Sequence, residues 1–302
     1  MSDCCKMKRL IHLQEMKSHM KKKLFLLTVI ALVALRVESQ PARLVVRADD
    51  LGSSHAANEA IMKTCREGIV KSVEIMVTTP WFPEAVKMMK ENPGIDVGLH
   101  LALTSEWENI KWRPLSVCPS LVDKNGYFFP MIYPNENYPG QALLQNQWKL
   151  EDIEKEFRTQ IELALANIPW ISHLSSHMGC SDFAPEVSEL TNRLAKEYNI
   201  SNDLNGVRVS DAGYDGPSET SEEKTQSFLN MLSKLEPGNT YIFVDHPGLN
   251  NEELRAVYHT GYEDVAVDRQ GVTDALTSEK AKALIQQKGI QLVSYKEVIS
   301  NR

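Results

Sequence analysis

The chain is poor in cysteine. It has five in 302 residues: Cys4 and Cys5 stand near its start, and Cys65, Cys118 and Cys180 are scattered. Three isolated thiols exclude a disulfide framework. A positive balance is also missing, since 33 Lys and Arg face 40 Asp and Glu for a net charge of −7. Nucleic-acid binding needs a basic footprint, so that class of partner is not expected. The most conspicuous apolar run, residues 24–35, is too short to cross a bilayer comfortably, and no cysteine ends it as a lipidation site. No fixed-period repeat, low-complexity block or Pro/Gly linker divides the chain, so the part after residue 41 reads as one domain over 42–300.

What is present begins with a leader. Lys21, Lys22 and Lys23 precede the apolar run, and the polar patch Arg36-Val37-Glu38-Ser39-Gln40 follows it. A basic head, a short apolar stretch and a small residue at a cleavage point predict a secretory signal peptide over residues 1–39. Export to the periplasm or the medium follows, with no membrane attachment after cleavage. The stretch 1–15 ahead of the leader is unusual and suggests that Met16 or Met20 is the true start. Without residues 1–39 the chain keeps 25 basic against 37 acidic residues, a charge of about −12.

From residue 43 onward, extended and helical patterns alternate. Strands are predicted at 44–47, 72–78, 95–103, 170–174, 207–210, 240–245 and 290–294. Between them, apolar residues recur near every 3.6 positions, as in Leu150, Ile153, Phe157, Ile161 and Leu165. Helices are predicted at 58–67 before Gly68, from Pro185 onward, and at 281–288 before Gly289. Six or seven strand–helix units predict an α/β fold, a mostly parallel sheet closed or nearly closed into a (β/α) barrel. Two connections are long. Residues 104–147 show no clear helix or strand but carry Trp107, Trp112, Tyr127, Phe128, Phe129, Tyr133 and Tyr138. Such a loop is usually functional, and exposed aromatic faces would suit a sugar ring, although the same residues could simply anchor the loop. Residues 202–226 read as a solvated loop.

The chemistry gathers at strand ends. Leu44-Val45-Val46-Arg47 runs into Ala48-Asp49-Asp50-Leu51-Gly52, two adjacent carboxylates at the end of a strand, where α/β folds build sites. Neighbouring carboxylates repel, so keeping both ionised calls for a cation or a role in proton transfer. His100 lies in the otherwise apolar Val97-Gly98-Leu99-His100-Leu101-Ala102-Leu103. His173 and His177 lie in Ser172-His173-Leu174-Ser175-Ser176-His177-Met178-Gly179, and His246 ends a β-branched strand before Pro247-Gly248. Together they point to a mononuclear metal site of one Asp and two His, a ligand set that leaves positions for water and substrate.

These pieces resemble the YdjC-like carbohydrate deacetylases, which remove acetyl groups from chito-oligosaccharides. The resemblance covers nearly the whole of 44–298. It rests on Ala48-Asp49-Asp50-Leu51-Gly52 with Asn58 and Ile61 behind it, Val97-Gly98-Leu99-His100-Leu101 with Leu103-Thr104, the Ser172–His177 segment, and His246-Pro247-Gly248. It implies a distorted TIM-like barrel related to the polysaccharide deacetylases. It also implies that Asp50, His100 and His177 hold one divalent ion, zinc or magnesium, with Asp49 as general base and His246 as general acid. Arg269, which precedes the last predicted helix as in that family, and Trp107 and Trp112 are expected at the substrate. One departure stands out. The family pattern His-x-Asp-x-His-Gln-His is here His173-Leu174-Ser175-Ser176-His177-Met178-Gly179, so Ser175 replaces an aspartate and Gly179 a histidine. Cys180, beside this motif, reads as structural.

The activity implied is hydrolysis of an acetamide on an amino-sugar or oligosaccharide. The alternatives are a catalytically weakened sugar-binding protein of the same fold and a deacetylase of another acetylated substrate, lipid-linked or ester.

Overall fold

The computed structural model describes residues 40–300 except Asn205, together with Met16, His19, Met20 and Lys23. Those four are helical; the rest of the leader predicted over 1–39 lies outside the described residues. Residues Pro41–Arg302 form one compact unit. Among the described residues no helix is long and apolar enough to cross a membrane.

Among the described residues the unit is built on eight strands, all paired in parallel: β1 Arg43–Leu51, β2 Ser72–Ile75, β3 Asp96–Leu101, β4 His173–Ser176, β5 Ser201–Asn202, β6 Ser210–Ala212, β7 Thr240–Asp245 and β8 Gln291–Val293. Their order is β5-β4-β3-β2-β1-β7-β6. The sheet therefore curls from β5 round to β6 without those two pairing. β8 pairs with Arg43, Leu44 and Val45, on the side of β1 that β2 takes from Arg47 onward. This is the expected parallel barrel, left open at one seam. A cavity of about 400 Å³ is lined by Arg47, Asp203, Asp211 and Tyr295, with residues of β6 and β7 in its wall.

The helices are α1 His55–Arg66, α2 Phe82–Glu91, α3 Leu150–Asn167, α4 Pro185–Glu197, α5 Ser221–Lys234, α6 Glu252–Arg255, α7 Val265–Thr277, α8 Glu279–Lys288 and α9 Tyr295–Ile299. They explain where sequence patterns worked. α3 buries Ile153, Phe157, Ile161 and Ala164 along one stripe, and α4 opens on Pro185 and buries Val187, Leu190 and Leu194. Ser54 caps α1 and Gly289, left-handed, ends α8. The stretch expected as a solvated loop over 202–226 instead contains the last residue of β5, β6 and the start of α5, and the strand expected at 207–210 is found as β6, shared only at Ser210. β5 has two residues and β6 three, too short to show alternation. The α5 start does carry a capping box, Thr220 with Glu223.

The two faces of the sheet differ in character. Leu44, Val46 and Ala48 on β1 pack outward into the main core with Ile61 and Leu276 of the helices. Val45 faces the other way into a small apolar plug with Ile242, Val293, Tyr295 and Val298. Side chains alternate along a strand, so Arg47 and Asp49 follow Val45 into the barrel. Above the plug the interior is polar, containing Ser72, Glu74, Asp96, His100, His173 and Ser175, all buried. The long 104–147 connection has two short 3₁₀ turns, Pro119–Leu121 and Leu143–Gln145, and otherwise no regular element beyond isolated bridges. Its Trp107, Trp112, Phe128 and Tyr138 are buried, so these aromatics anchor it.

Candidate metal centre

The site forms where β1 breaks. The register between β1 and β2 slips between Ala48 and Leu51, and Asp50 takes a φ of 67°. A non-glycine residue in the left-handed region is strained, roughly 1–3 kcal/mol, and persists only where its surroundings hold it. Here the kink is locked from behind: Gly52 N–H donates to Asn58 Oδ1 at 2.6 Å, and Gly52 has φ 104°. A Cβ at Gly52 would press on Thr79 and the Met76 carbonyl, which explains the glycine after the two aspartates. The kink brings two successive side chains, Asp49 and Asp50, to one mouth.

Each carboxylate has a different cation. Arg47 donates from Nε and Nη2 to Asp49 Oδ1 and Oδ2, both at 2.8 Å. Burial acts against the guanidinium charge, yet Asp49 and Glu74 hold the Arg47 pKa above its ordinary value. Arg269 Nη2 donates to Asp50 Oδ2 at 3.1 Å. Asp50 Oδ1 is buried and accepts no hydrogen bond. That oxygen lies 3.3 Å from His177 Nδ1 and 3.8 Å from His100 Nε2. Ligating atoms of Asp50, His100 and His177 all fall within 4.8 Å of one another, so the three residues brought together from β1, β3 and the turn after β4 can share one ion.

The far nitrogens of both imidazoles are held. His177 Nε2 faces Glu106 Oε2 at 3.1 Å, and His100 Nδ1 faces Ser175 Oγ at 2.8 Å. Burial, with His177 beside it, pushes His100 down to about 3, so it is neutral and offers a lone pair. Burial also disfavours charge on His177, but Glu106 and Asp50 overcome it and push its pKa up to about 10. Asp50 sits well below the usual carboxylate range: burial alone would raise it, and His246, His177 and Arg269 outweigh that. Asp50 Oδ1, which accepts no hydrogen bond, faces the neutral His100, and the Asp50 and Glu106 carboxylates that favour a proton on His177 equally favour a divalent cation in that proton's place.

His246 stands across the mouth, its Nε2 3.9 Å from Asp50 Oδ2 and its Nδ1 3.6 Å from Asp245 Oδ1. Asp245 Oδ2 in turn accepts from the Tyr214 hydroxyl at 2.7 Å. Burial lowers the His246 pKa, but Asp50 and then Asp245 raise it above the ordinary value. With its side chain 37% exposed, His246 is the most open titratable group among Asp49, Asp50, His100, His177 and itself.

Arg269 precedes the helix predicted at 281–288, as expected, and itself lies inside α7, a helix not anticipated. Trp107 and Trp112 differ from the expected open faces, each being only 3% exposed. Trp107 sits under the Arg269 guanidinium, 5.2 Å from it, and Trp112 packs edge-on to His177 while its Nε1 donates to the Thr104 carbonyl at 2.6 Å. Both back the site from behind. The loop's exposed aromatic is Tyr133, 52% exposed, whose ring lies close to Gly179 at the mouth. Cys180 is buried and its thiol donates to the Leu101 carbonyl, a structural position. Glu74, Glu106, Asp245 and Tyr214 were not anticipated. A lone glutamate in a strand or loop carries no spacing signal, though Arg47 stood within the opening motif.

Comparison with known proteins finds relatives along nearly the whole of this unit. A family profile described as YdjC-like protein matches residues 43–287. A carbohydrate deacetylase of Clostridium beijerinckii is 30% identical over 268 residues, covering 85% of this chain and 100% of its own length. Carbohydrate deacetylase 1 of Listeria innocua serovar 6a is 27% identical over 269 residues, with the same coverage of 85% and 100%. Among solved structures, an Enterococcus faecalis V583 protein named for cellobiose-phosphate cleavage superposes with a TM-score of 0.68 at 22% identity. That match covers 86% of this chain and 99% of the other, and it speaks for the fold.

Proposed function

The chain belongs to the YdjC-like family, and from that premise we propose that it is a metal-dependent hydrolase removing N-acetyl groups from acetylated amino-sugars or oligosaccharides of the chito-oligosaccharide kind. The observation that carries the proposal is Asp50 Oδ1, buried without a donor and facing His100 Nε2 and His177 Nδ1. These three residues would hold one divalent ion. Two imidazoles and one carboxylate favour zinc, whereas magnesium prefers more oxygen ligands.

Such an ion, when bound, supplies Lewis acidity toward an acyl oxygen and lowers the pKa of a water. The remaining roles belong to the protein. Asp49, aimed by the Arg47 fork, accepts a proton from the water that attacks the acetamide carbon. As the C–N bond breaks, the amine nitrogen must leave neutral, and His246 is the group available to protonate it. Asp50 and Asp245 beside it favour its protonated form. Water is added across the amide, leaving acetate and a free amine. Tyr133 offers the open ring on which a sugar face can rest. The leader at 1–39 would direct the enzyme out of the cytoplasm.

The test is acetate release from diacetylchitobiose and a panel of acetylated sugars by the purified, zinc- or magnesium-loaded protein. Acetate production, abolished by a chelator and strongly reduced in Asp49→Asn and His246→Ala, is the expected result. Sugar binding without acetate production in the loaded protein would overturn the hydrolase reading. Full rates in both variants would overturn the assigned roles.

A further inference from the structure

Ser175 has a single hydroxyl proton and two polar neighbours. Its Oγ donates to Glu74 Oε2 in a short hydrogen bond. With that proton committed, the same oxygen can only accept from His100 Nδ1 at 2.8 Å. A proton on Nδ1 leaves the lone pair of His100 on Nε2. That nitrogen faces Asp49 Oδ2 and Asp50 Oδ1, each 3.8 Å away. The direction of one hydroxyl therefore decides which nitrogen of His100 is presented to the mouth.

Glu74 is held so that it cannot turn away. Its Oε1 meets His173 Nε2 at 2.7 Å, and His173 Nδ1 meets Ser172 Oγ at 2.7 Å. The His173 ring is stacked on Tyr295 at 3.8 Å, with 5° between the planes. Glu74 on β2 and His173 on β4 flank Gly98 of β3 in register, and a Cβ at Gly98 would collide with both. The glycine lets the two side chains meet over the middle strand.

Resting on the ligand assignment made above, we propose that Glu74 is the remote carboxylate of the His100 ligand, a positioning residue that acts through Ser175. The place of the aspartate in the His-x-Asp-x-His pattern is thus filled by a serine on β4 and a glutamate on β2. His177, by comparison, has its carboxylate, Glu106, in direct contact. Both imidazoles are then fixed at the nitrogen away from the ion. Groups in that position commonly contribute about 10–100-fold to metal affinity or activity.

The experiment uses the full chain with ¹⁵N-labelled histidine. In the ion-free protein, His100 is expected as the Nδ1–H tautomer in long-range ¹H–¹⁵N spectra. Ser175→Ala removes the acceptor, and the tautomer preference is expected to disappear. Zn²⁺ affinity, read by chelator competition, is expected to fall about 10–100-fold. In Glu74→Gln the amide can donate to Ser175, which frees the hydroxyl to turn toward His100; a shift to the Nε2–H form and a similar loss of Zn²⁺ affinity are expected. Adding Ser175→Asp to Glu74→Gln places a carboxylate at His100 again and is expected to recover affinity and tautomer together. A wild-type His100 in the Nε2–H form, or a Ser175→Ala variant with unchanged tautomer and affinity, would overturn the proposal. If the wild type bound no Zn²⁺ at all, the ligand assignment would fall, while the ion-free spectra would still decide the relay.

Discussion

Replacing Arg47 by Met should cost the protein a large part of its stability. The guanidinium is the fork that holds both oxygens of Asp49 at 2.8 Å, with the Arg47 side chain only 11% exposed and Asp49 5%. It also faces Glu74. Removing one partner of a buried pair leaves the other charge uncompensated, a loss of roughly 3–5 kcal/mol. For a domain of this size that corresponds to a fall in Tm of roughly 6–20 °C. Two further variants separate charge from aim. Arg47→Met with Asp49→Asn removes the orphaned charge as well and should regain most of the lost stability. Arg47→Lys keeps a cation but loses the two-pronged geometry, so the protein should stay folded while kcat falls by up to roughly 100-fold through a misaimed Asp49. KM should hardly move. Thermal denaturation and steady-state acetate release read these outcomes. Wild-type kcat in the Arg47→Lys enzyme would show that Asp49 does not need aiming. A double variant no more stable than Arg47→Met would show that charge compensation is not what the pair provides.

Other positions make sharper single-assay predictions. His246 must be protonated to act as an acid, so activity should decline as pH rises through its pKa; Asp245 raises that pKa, and Asp245→Asn should shift the alkaline limb of the kcat profile to lower pH. An unmoved limb would argue against His246 as the acid. Gly98→Ala forces a methyl group into the Glu74 and His173 side chains, both pinned by hydrogen bonds, and should destabilise by at least about 1–3 kcal/mol in denaturant unfolding. Tyr133→Ala should raise KM for a sugar substrate roughly 2–10-fold with kcat retained, in line with about 0.5–1.5 kcal/mol for an aromatic contact.

The sequence made the site more legible than the wall around it. Asp49, Asp50, His100, His177 and His246 each lie in or just past the end of a strand, and in a parallel barrel all such ends point to one mouth. Chain order along the sheet could therefore bring them together without any knowledge of distances. β7 over 240–245 was legible because Tyr241, Ile242, Phe243 and Val244 form an unbroken strand signal. β5 was not, because two residues carry no period, and β6 was met only at its first residue, the strand expected at 207–210 ending where Ser210–Ala212 begins; the seam they border stayed invisible with them. α7 was hidden because its buried face includes Arg269, Gly271 and Thr273, residues that a simple apolar stripe does not contain. Glu74 and Glu106 had no pattern at all; each acquires its role only when a strand or a loop brings it to the back of a histidine. The same holds for the tryptophans. Composition says that an aromatic loop exists, whereas burial of Trp107 and Trp112 against Arg269 and His177 is decided by tertiary packing.

Two adjacent aspartates are chemically equivalent on paper, and what separates them here is local geometry. A regular strand would send Asp49 and Asp50 to opposite faces, one into the barrel and one into the helical shell. The left-handed turn at Asp50 and the slipped register cancel that alternation, so both carboxylates reach the mouth. Having met, they would repel, and two arginines divide them. Arg47 engages both oxygens of Asp49, which fixes its direction and leaves it no oxygen free of a donor. Arg269 engages only Oδ2 of Asp50, which leaves Oδ1 bare toward the two histidines. A carboxylate held at both oxygens is suited to receive a proton along a fixed line, and one held at a single oxygen is suited to bind an ion with the other. On this argument the division of labour is set by how many oxygens each arginine takes. Exchanging the two aspartates' roles would require moving an arginine, not altering either acid.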